Sequence, residues 1–313
     1  MATAVSQHKN AFLTNTSVKY SIQRDDLIAS RAVPPLKVQK KNDAILTFDQ
    51  EFWFRNNAVL IPEGDPVPRK SYGTSEVSYI TRKYGLGSQI TEEEAANSDN
   101  IHMLQMNRTE FVTDAVLLRD EIEAAAILFD ETGFASQLTA VGAGTGWGGS
   151  SATPIQNLLA MKNSCRSQMG GRMPNTWVFG NTPWEDLLTS DEAVKFLYGL
   201  GSNSMLKVTE AKLAEFLGAK QVLIGRQGYN SAAEGATVVT ADIWGDYVWC
   251  GWTNLSPAVN TASSSYRIES DYGVRKWNEI ATKNTVIEAT RTAVATLISA
   301  PAGHLLKSVH SGA

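Results

Sequence analysis

From residue 108 to residue 130, Phe111, Ala115, Leu118, Ile122, Ala125 and Phe129 recur at steps of three and four. Asp114, Arg119, Asp120 and Glu123 fall off that stripe. Asn107 stands where an N-cap belongs, and Glu110, three positions on, completes a capping-box pattern. The spacing predicts one helix over 108–130, about 35 Å long at ~1.5 Å per residue, with that stripe as its buried face. A strut of this length organises whatever surrounds it.

Residues 52–90 read as two β-type runs around a Pro/Gly-rich tip. Phe52-Trp53-Phe54 and Ala58-Val59-Leu60-Ile61 lead into Pro62-Glu63-Gly64-Asp65-Pro66-Val67-Pro68-Arg69-Lys70, and Glu76–Thr81 resumes with β-branched and aromatic residues. Prolines deny ladder donors at the tip while the flanks stay free to pair. Two strands cannot bury an apolar face by themselves, so such a ribbon requires another surface. Residues 1–41 carry a net charge of +5, against −9 for the rest, and contain Pro34-Pro35 without a sustained apolar period. They read as an extended basic arm or as a plain tail, and removing them is expected to leave residues 151–272 folded but to weaken assembly.

After the glycine-rich stretch 133–151, helix and strand signals alternate. Residues 155–162 read as helix, ending near Gly170-Gly171, and 177–180 as a buried strand. Helices are expected from Thr182 and over 207–217, strands over 221–224, 237–239 and 242–252, and one or two strands over 285–298. No repeat of fixed period is present in the sequence.

The net charge of −4, with 43% hydrophobic and 19% charged residues, excludes a wholly disordered chain and gives no overall basic character. Two cysteines, Cys165 and Cys250, are too few for a disulfide framework, so a reducing compartment is expected. Neither a secretory h-region nor an apolar run of the ~20 residues needed to cross a bilayer is visible. A soluble protein is expected, with the sequons at Asn15, Asn107 and Asn254 arising by chance.

Gly144-Thr145-Gly146-Trp147-Gly148-Gly149 meets the G-x-G-x-x-G pattern of dinucleotide sites. No carboxylate for a ribose stands near residue 169, and bulky Trp147 sits inside the turn, so a flexible loop is the better account. Phosphate-loop, nucleophile-elbow and metal-ligand spacings are absent from the sequence, and His8, His102, His304 and His310 are scattered. Glu92-Glu93-Glu94 and Asp191-Glu192 read as solvated charge at helix starts. The chain is therefore expected to be no enzyme and to use no cofactor or metal. Eight tryptophans suit either a core or a protein–protein interface. Ribbon, arm and missing catalytic set together favour an assembly protein.

The order of these features resembles the major capsid proteins of tailed double-stranded DNA bacteriophages, whose capsid fold is shared with encapsulins and the herpesvirus capsid floor. The likeness spans roughly residues 45–300. Residues 79–100 (YITRKYGLGSQITEEEAANSDN) resemble the family's stretch leaving its extended loop, and 108–130 its spine helix. The run from Met173 to Leu187 (MPNTWVFGNTPWEDL) is similar to the family's "G-x-x-P-N-x-x-v-x-G-x-x-x-w-x-x-L". Gln221–Gly225 and Ile243–Trp252 match its later strands, with Trp249 and Trp252 in place of an aliphatic residue and a tyrosine.

The resemblance implies an α+β fold with an N-terminal arm (1–49), an extended β-hairpin loop (50–95), a peripheral domain with the spine helix (96–150), an axial domain (151–272) and a return to the peripheral domain (273–313). It implies self-assembly as pentamers and hexamers into an icosahedral head around double-stranded DNA, in the virion and, during assembly, in the host cytoplasm. Its partners would be copies of itself, scaffold, portal and decoration proteins, and packaged DNA without sequence preference, but no membrane. Arg69, Lys70, Tyr79, Ile80 and Arg82 are candidate inter-subunit contacts, and Lys37, Lys40 and Lys41 candidate DNA-facing or arm contacts. Pro174, Asn175, Gly180, Trp184, Trp244 and Gly245 carry the structural motif. The alternatives are an encapsulin-like nanocompartment shell and, remotely, a nucleotide-binding α/β enzyme.

Overall fold

The structure, a computed structural model, describes residues 9–24, 26–47, 55–71, 73–149, 151–198, 208–256 and 263–310. Its helices are α1 (Ala11–Gln23), α2 (Ala29–Ala32), α3 (Glu92–Ala96), α4 (Ile101–Leu128), α5 (Pro154–Gln168), α6 (Asn181–Thr189), α7 (Asp191–Tyr198) and α8 (Glu210–Leu217). The strands are β1 (Pro35–Lys37), β2 (Asn42–Thr47), β3 (Ser75–Ile80), β4 (Arg82–Ile90), β5 (Leu138–Ala140), β6 (Thr176–Gly180) and β7 (Gln221–Gly225). They continue with β8 (Gly228–Asn230), β9 (Thr240–Asp242), β10 (Tyr247–Gly251), β11 (Ser265–Glu279), β12 (Asn284–Leu297) and β13 (Gly303–Lys307).

The long helix begins earlier than its apolar period predicts. Asn100, not Asn107, is the cap: its Oδ1 accepts from the backbone N–H groups of His102 and Met103 at 3.1 and 3.2 Å. The resulting 28 residues run about 42 Å and stop at Leu128, two residues short of the expected end. The buried face is also rotated from the expected stripe. It carries Thr109, Val112, Thr113, Val116, Asp120, Glu121, Ala124, Ala125 and Leu128, while Phe111 is 58% exposed. Polar residues sit inside because partners on neighbouring strands satisfy them, which an apolar count along one helix cannot register.

Helix α4 joins two sheets. Its first half packs Val112 and Val116 against Leu13 of α1, Ile90 of β4, Val274 of β11 and Ile287 and Ala289 of β12. This is one side of a four-stranded sheet of order β1-β11-β12-β4. Its core is the β11–β12 hairpin, antiparallel from Ser265↔Leu297 to Glu279↔Asn284 with an irregularity between Glu269 and Asp271. Residues 285–298 thus form one strand, and its partner β11 was not anticipated.

The second half of α4 packs Ala124, Ala125 and Leu128 against Val178, Leu223, Trp244, Trp249 and Leu305. These belong to a five-stranded sheet of order β5-β13-β10-β6-β7, or to the loop entering it. The alternate residues Trp177, Phe179, Val222, Ile224, Val248 and Cys250 point to the other face and pack with Ile155, Leu158 and Met161 of α5, Trp184 and Leu187 of α6, and Leu213 of α8. Both faces are covered, so β6 reads as a continuous apolar run, with parallel β6 and β7 joined through the crossover helices α6 to α8. Cys165 of α5 and Cys250 of β10 are free, buried neighbours, and burial pushes the Cys250 thiol well up.

Residues 9–47 are not an arm independent of the fold. Helix α1 buries Leu13 beneath α4, Ile28, Ala29, Ala32 and Val33 enter the α4 cluster, and β1 pairs in parallel with β11 at Pro35↔Arg267. Removing residues 1–41 would strip both cores. The ribbon also has a different partner from the one expected. Strand β3 pairs antiparallel with β2, from Asn42↔Ile80 to Thr47↔Ser75, and β4 leaves the ribbon for the four-stranded sheet. Residues 58–61 form no strand, consistent with the prolines that follow them. Phe52, Trp53 and Phe54 lie outside the described residues.

Two glycines are required where Trp244 crosses the five-stranded sheet. A Cβ on Gly225 would lie 2.1 Å from the indole, and one on Gly180 would lie 2.0 Å from the Gly245 carbonyl oxygen. By contrast, a Cβ on Gly87 of β4 would meet nothing nearer than 3.9 Å. Gly180→Ala is expected to cost about 3 kcal/mol and Gly87→Ala less than about 0.5 kcal/mol, as read from urea unfolding midpoints of the subunit.

Candidate functional site

Two turns before the end of α4, two adjacent carboxylates leave the helix in different directions. Asp120 faces the four-stranded sheet, where Tyr84 O–H donates to its Oδ1 at 2.5 Å and Arg267 Nη1 lies 3.1 Å from its Oδ2. Arg291 Nη1 pairs with the same oxygen. Glu269 completes the group, 3.7 Å from Arg291 Nε and 3.9 Å from Arg267 Nη2. Strand register aligns these groups: Arg291 stands opposite Tyr84 on one side and Tyr272 on the other, with its guanidinium 4.5 Å from the Tyr272 ring centroid. Burial pushes the Tyr84 hydroxyl up to about 12 and draws Arg291 below its ordinary range.

Glu121 accepts from the Ala29 backbone N–H at 2.6 Å and from Trp244 Nε1 at 2.8 Å. Burial raises its pKa, while these two donors favour the charged form. The carboxylate thereby ties α2 and the entry to β10 to the long helix. Asp120 was read as an off-stripe surface charge, and Arg267, Arg291 and Tyr84 were not singled out. The available signal was Arg291, isolated within the β-branched run 285–298, where a buried partner is needed.

The structural-motif residues frame the five-stranded sheet. Asn175 Nδ2 donates to the Thr253 carbonyl at 2.7 Å and its Oδ1 accepts from Thr253 N–H at 2.8 Å. Its backbone accepts from Lys220 and Gln221 and donates to Gly251, so one residue clamps the ends of β6, β7 and β10. Pro174 is buried beside it. Gly180, Trp244 and Gly245 meet at the close approach described above, and Trp184 packs edge-on to Phe179 with centroids 5.8 Å apart.

The glycine-rich loop is held in place rather than free. Trp147 is buried, its backbone N–H donates to Val309 O at 2.7 Å, and Gly148 N–H donates to His310 O at 3.2 Å. Thr145 and Gly149 amides bond to Gly142 and Gly146 carbonyls, so these four donors are used within the chain and not presented to a phosphate. His304 lies between Ser164 Oγ, 3.3 Å from Nδ1, and Thr139 Oγ1, 2.8 Å from Nε2. Burial lowers its pKa, and a hydroxyl occupies the place an orienting carboxylate takes in a nucleophilic triad.

The candidate contact residues divide. Tyr79 is 6% exposed and packs within its own chain against Tyr266 and Ile268, its hydroxyl donating to Lys40 O at 3.2 Å. Ile80 beside it is 63% exposed. Arg69, Lys70 and Arg82 are exposed, with Lys70 Nζ donating to Asn57 Oδ1 at 3.1 Å. Lys37, Lys40 and Lys41 are exposed at the base of the ribbon, where Lys40 pairs with Asp43 at 3.0 Å. Every residue from 55 to 71 is exposed, including Val59, Leu60, Ile61 and Val67; Leu60 reaches 96%. Such a contiguous apolar display lacks cover from its own subunit.

No family model matches the sequence, and no curated protein does. Solved structures do. The chain is similar to the crystal structure of a phage-related protein from Bordetella bronchiseptica RB50, with TM-score 0.77 and 18% identity over 97% of this chain and 98% of that one. It is also similar to a virus-like particle from Pyrococcus furiosus, with TM-score 0.55 and 10% identity over 94% and 98%. Against the capsid of cyanophage P-SCSP1u the TM-score is 0.55 and the identity 11%, over 90% and 87%. At these identities the likeness is one of fold: the chain has the α+β fold of phage capsid subunits.

Asp120→Ala leaves two buried guanidiniums sharing Glu269 alone. It is expected to lower subunit stability by about 3–5 kcal/mol, measured by urea unfolding, because an uncompensated buried charge remains.

Proposed function

We propose that this chain is the structural subunit of a phage-type head, assembling with copies of itself as pentamers and hexamers into an icosahedral shell around double-stranded DNA. What supports this reading is the fold likeness, over 97% of this chain to a phage-related protein and over 90% to a cyanophage capsid. The role is structural rather than catalytic, its place is the virion, and assembly proceeds in the host cytoplasm. Scaffold, portal and decoration proteins would be its heterologous partners.

The exposed segment supplies a physical motive for assembly. Full burial of a Val, Leu or Ile side chain contributes about 1.5–3 kcal/mol, and Val59, Leu60, Ile61 and Val67 are all available for it. The ribbon base, with Lys37, Lys40, Lys41 and Arg82 exposed together, is the part of this region suited to phosphate contact. These contacts would be independent of DNA sequence, since a packaged genome presents only its backbone to a shell built of one repeated chain.

Electron microscopy and light scattering of the purified chain, alone and with its scaffold, test this reading. Closed shells are expected, and their nucleic-acid content separates a virion head from a protein-filled compartment. Small oligomers that never close under either condition would overturn it. Ile80→Asp is expected to abolish shells while leaving the unfolding midpoint unchanged. Tyr79→Ala should instead destabilise the subunit itself by about 3 kcal/mol.

A further inference from the structure

A groove of about 920 Å³ opens beside the Asn175 clamp, between residues 30–31, the entry to β6, the turn from α8 to β7 and residues 252–256. Its floor is stiff, since Asn175 is bonded to Thr253 through both ends of its amide and to Lys220, Gln221 and Gly251 through its backbone. Met173 and Leu255 are exposed in it, and Trp252 lines it half-buried, packed on the core beneath. A concave surface held rigid before any ligand arrives loses little entropy on binding.

All four stretches that form the groove lie in runs of sequence without Asp or Glu: 27–42, 132–184, 216–233 and 247–268. Arg31, Arg172 and Lys220 line it, and Lys162 Nζ comes within 3.9 Å of the place a Cβ on Gly218 would take. Arg172 and Lys220 are exposed and make no ion pair among the described residues. Among those residues no carboxylate lines the groove either. A cleft lined by charge of one sign focuses the field and concentrates the opposite sign, here anions.

We infer that this groove binds a nucleoside phosphate, with the base against Trp252 and Leu255 and the phosphate oxygens on Arg172 and Lys220. An inorganic oxyanion would use the rim alone, and an apolar ligand the floor alone. A nucleoside phosphate has a flat face for the indole and an anionic end for the cations. A free nucleotide and an unpaired nucleotide of a nucleic-acid strand present this same chemistry, whereas a base inside a duplex is stacked on both faces. The inference goes beyond the shell reading, since it concerns a small ligand of the subunit and not its contacts with other copies.

Isothermal titration of the full chain with ADP tests it, and saturable binding is expected. Arg172→Ala combined with Lys220→Ala should weaken that binding at least about tenfold, at an unchanged unfolding midpoint because both side chains are exposed. Trp252→Leu should weaken it about tenfold through lost stacking. Leu255→Ser, at a position 70% exposed, serves if the tryptophan variant does not fold, with an expected loss of about threefold. Adenosine and inorganic phosphate should each bind at least about tenfold more weakly than ADP, since each engages one part of the groove. Displacement of ADP by single-stranded oligothymidylate assigns the site to strand nucleotides, and failure to displace it assigns the site to free ones; both sustain the inference. Absence of ADP binding, binding that survives the Arg172 and Lys220 substitutions, or phosphate binding as tight as that of ADP overturns it. The readout is ligand binding and not shell yield, so that failure leaves the shell reading standing.

Discussion

Two adjacent carboxylates, two turns before the end of one helix, hold three separate parts of the chain. Asp120 takes the four-stranded sheet through Arg267, Arg291 and Tyr84, and Glu121 takes α2 and Trp244. Buried ion pairs return little net stability once desolvation is counted. Their contribution here is to alignment. A one-residue slip of β12 against β4 would turn Arg291 to the opposite face of the sheet, away from Asp120 and Glu269, and break the pairing that joins β12 to the helix. Apolar clusters on either side of this point, around Val112 and around Leu128, would accept several arrangements; the charges accept one.

What the sequence made legible follows from where local chemistry alone decides. The helices after residue 154, the buried β6 and β7 and the run from Met173 to Leu187 were readable, because each is apolar through its own residues or capped by a neighbour. The start of α4 was misplaced because Asn100 and Asn107 are equivalent as cap types, and the residues between them favour neither reading. Its buried face was rotated because Asp120 and Glu121 count as surface residues until Arg267 and Trp244, 147 and 123 positions away, are known as their partners. Strand β2 (NDAILT) has too little alternation to advertise itself, and β11 alternates charged and apolar residues that also suit an exposed loop. Of the candidate site residues, Ile80 and Tyr79 were adjacent in the reading but opposite in the fold, as period two requires of a strand.

The glycine-rich loop shows the same limit in reverse. Its pattern suggested either a phosphate cradle or slack chain, and it is neither, because Val309 and His310 take up its amides. The donors were visible in the sequence and the acceptors were not. The 55–71 segment was as little legible, because its seventeen consecutive exposed positions, Val59, Leu60, Ile61 and Val67 among them, break the rule that aliphatic runs mark buried strands.

The strand orders carry a consequence for how subunits are made. The four-stranded sheet sets residues 35–37 beside 265–279 and 82–90 beside 284–297, and the five-stranded sheet sets 138–140 beside 303–307. Early and late strands pair in both, so the four-stranded sheet is complete only over residues 35–297 and the five-stranded sheet only over 138–307. Both sheets therefore close through pairings distant in sequence, a topology that slows folding. A chain stopped short of residue 265 would hold β1 and β4 without the hairpin they flank, and one stopped short of residue 303 would leave β5 without its partner.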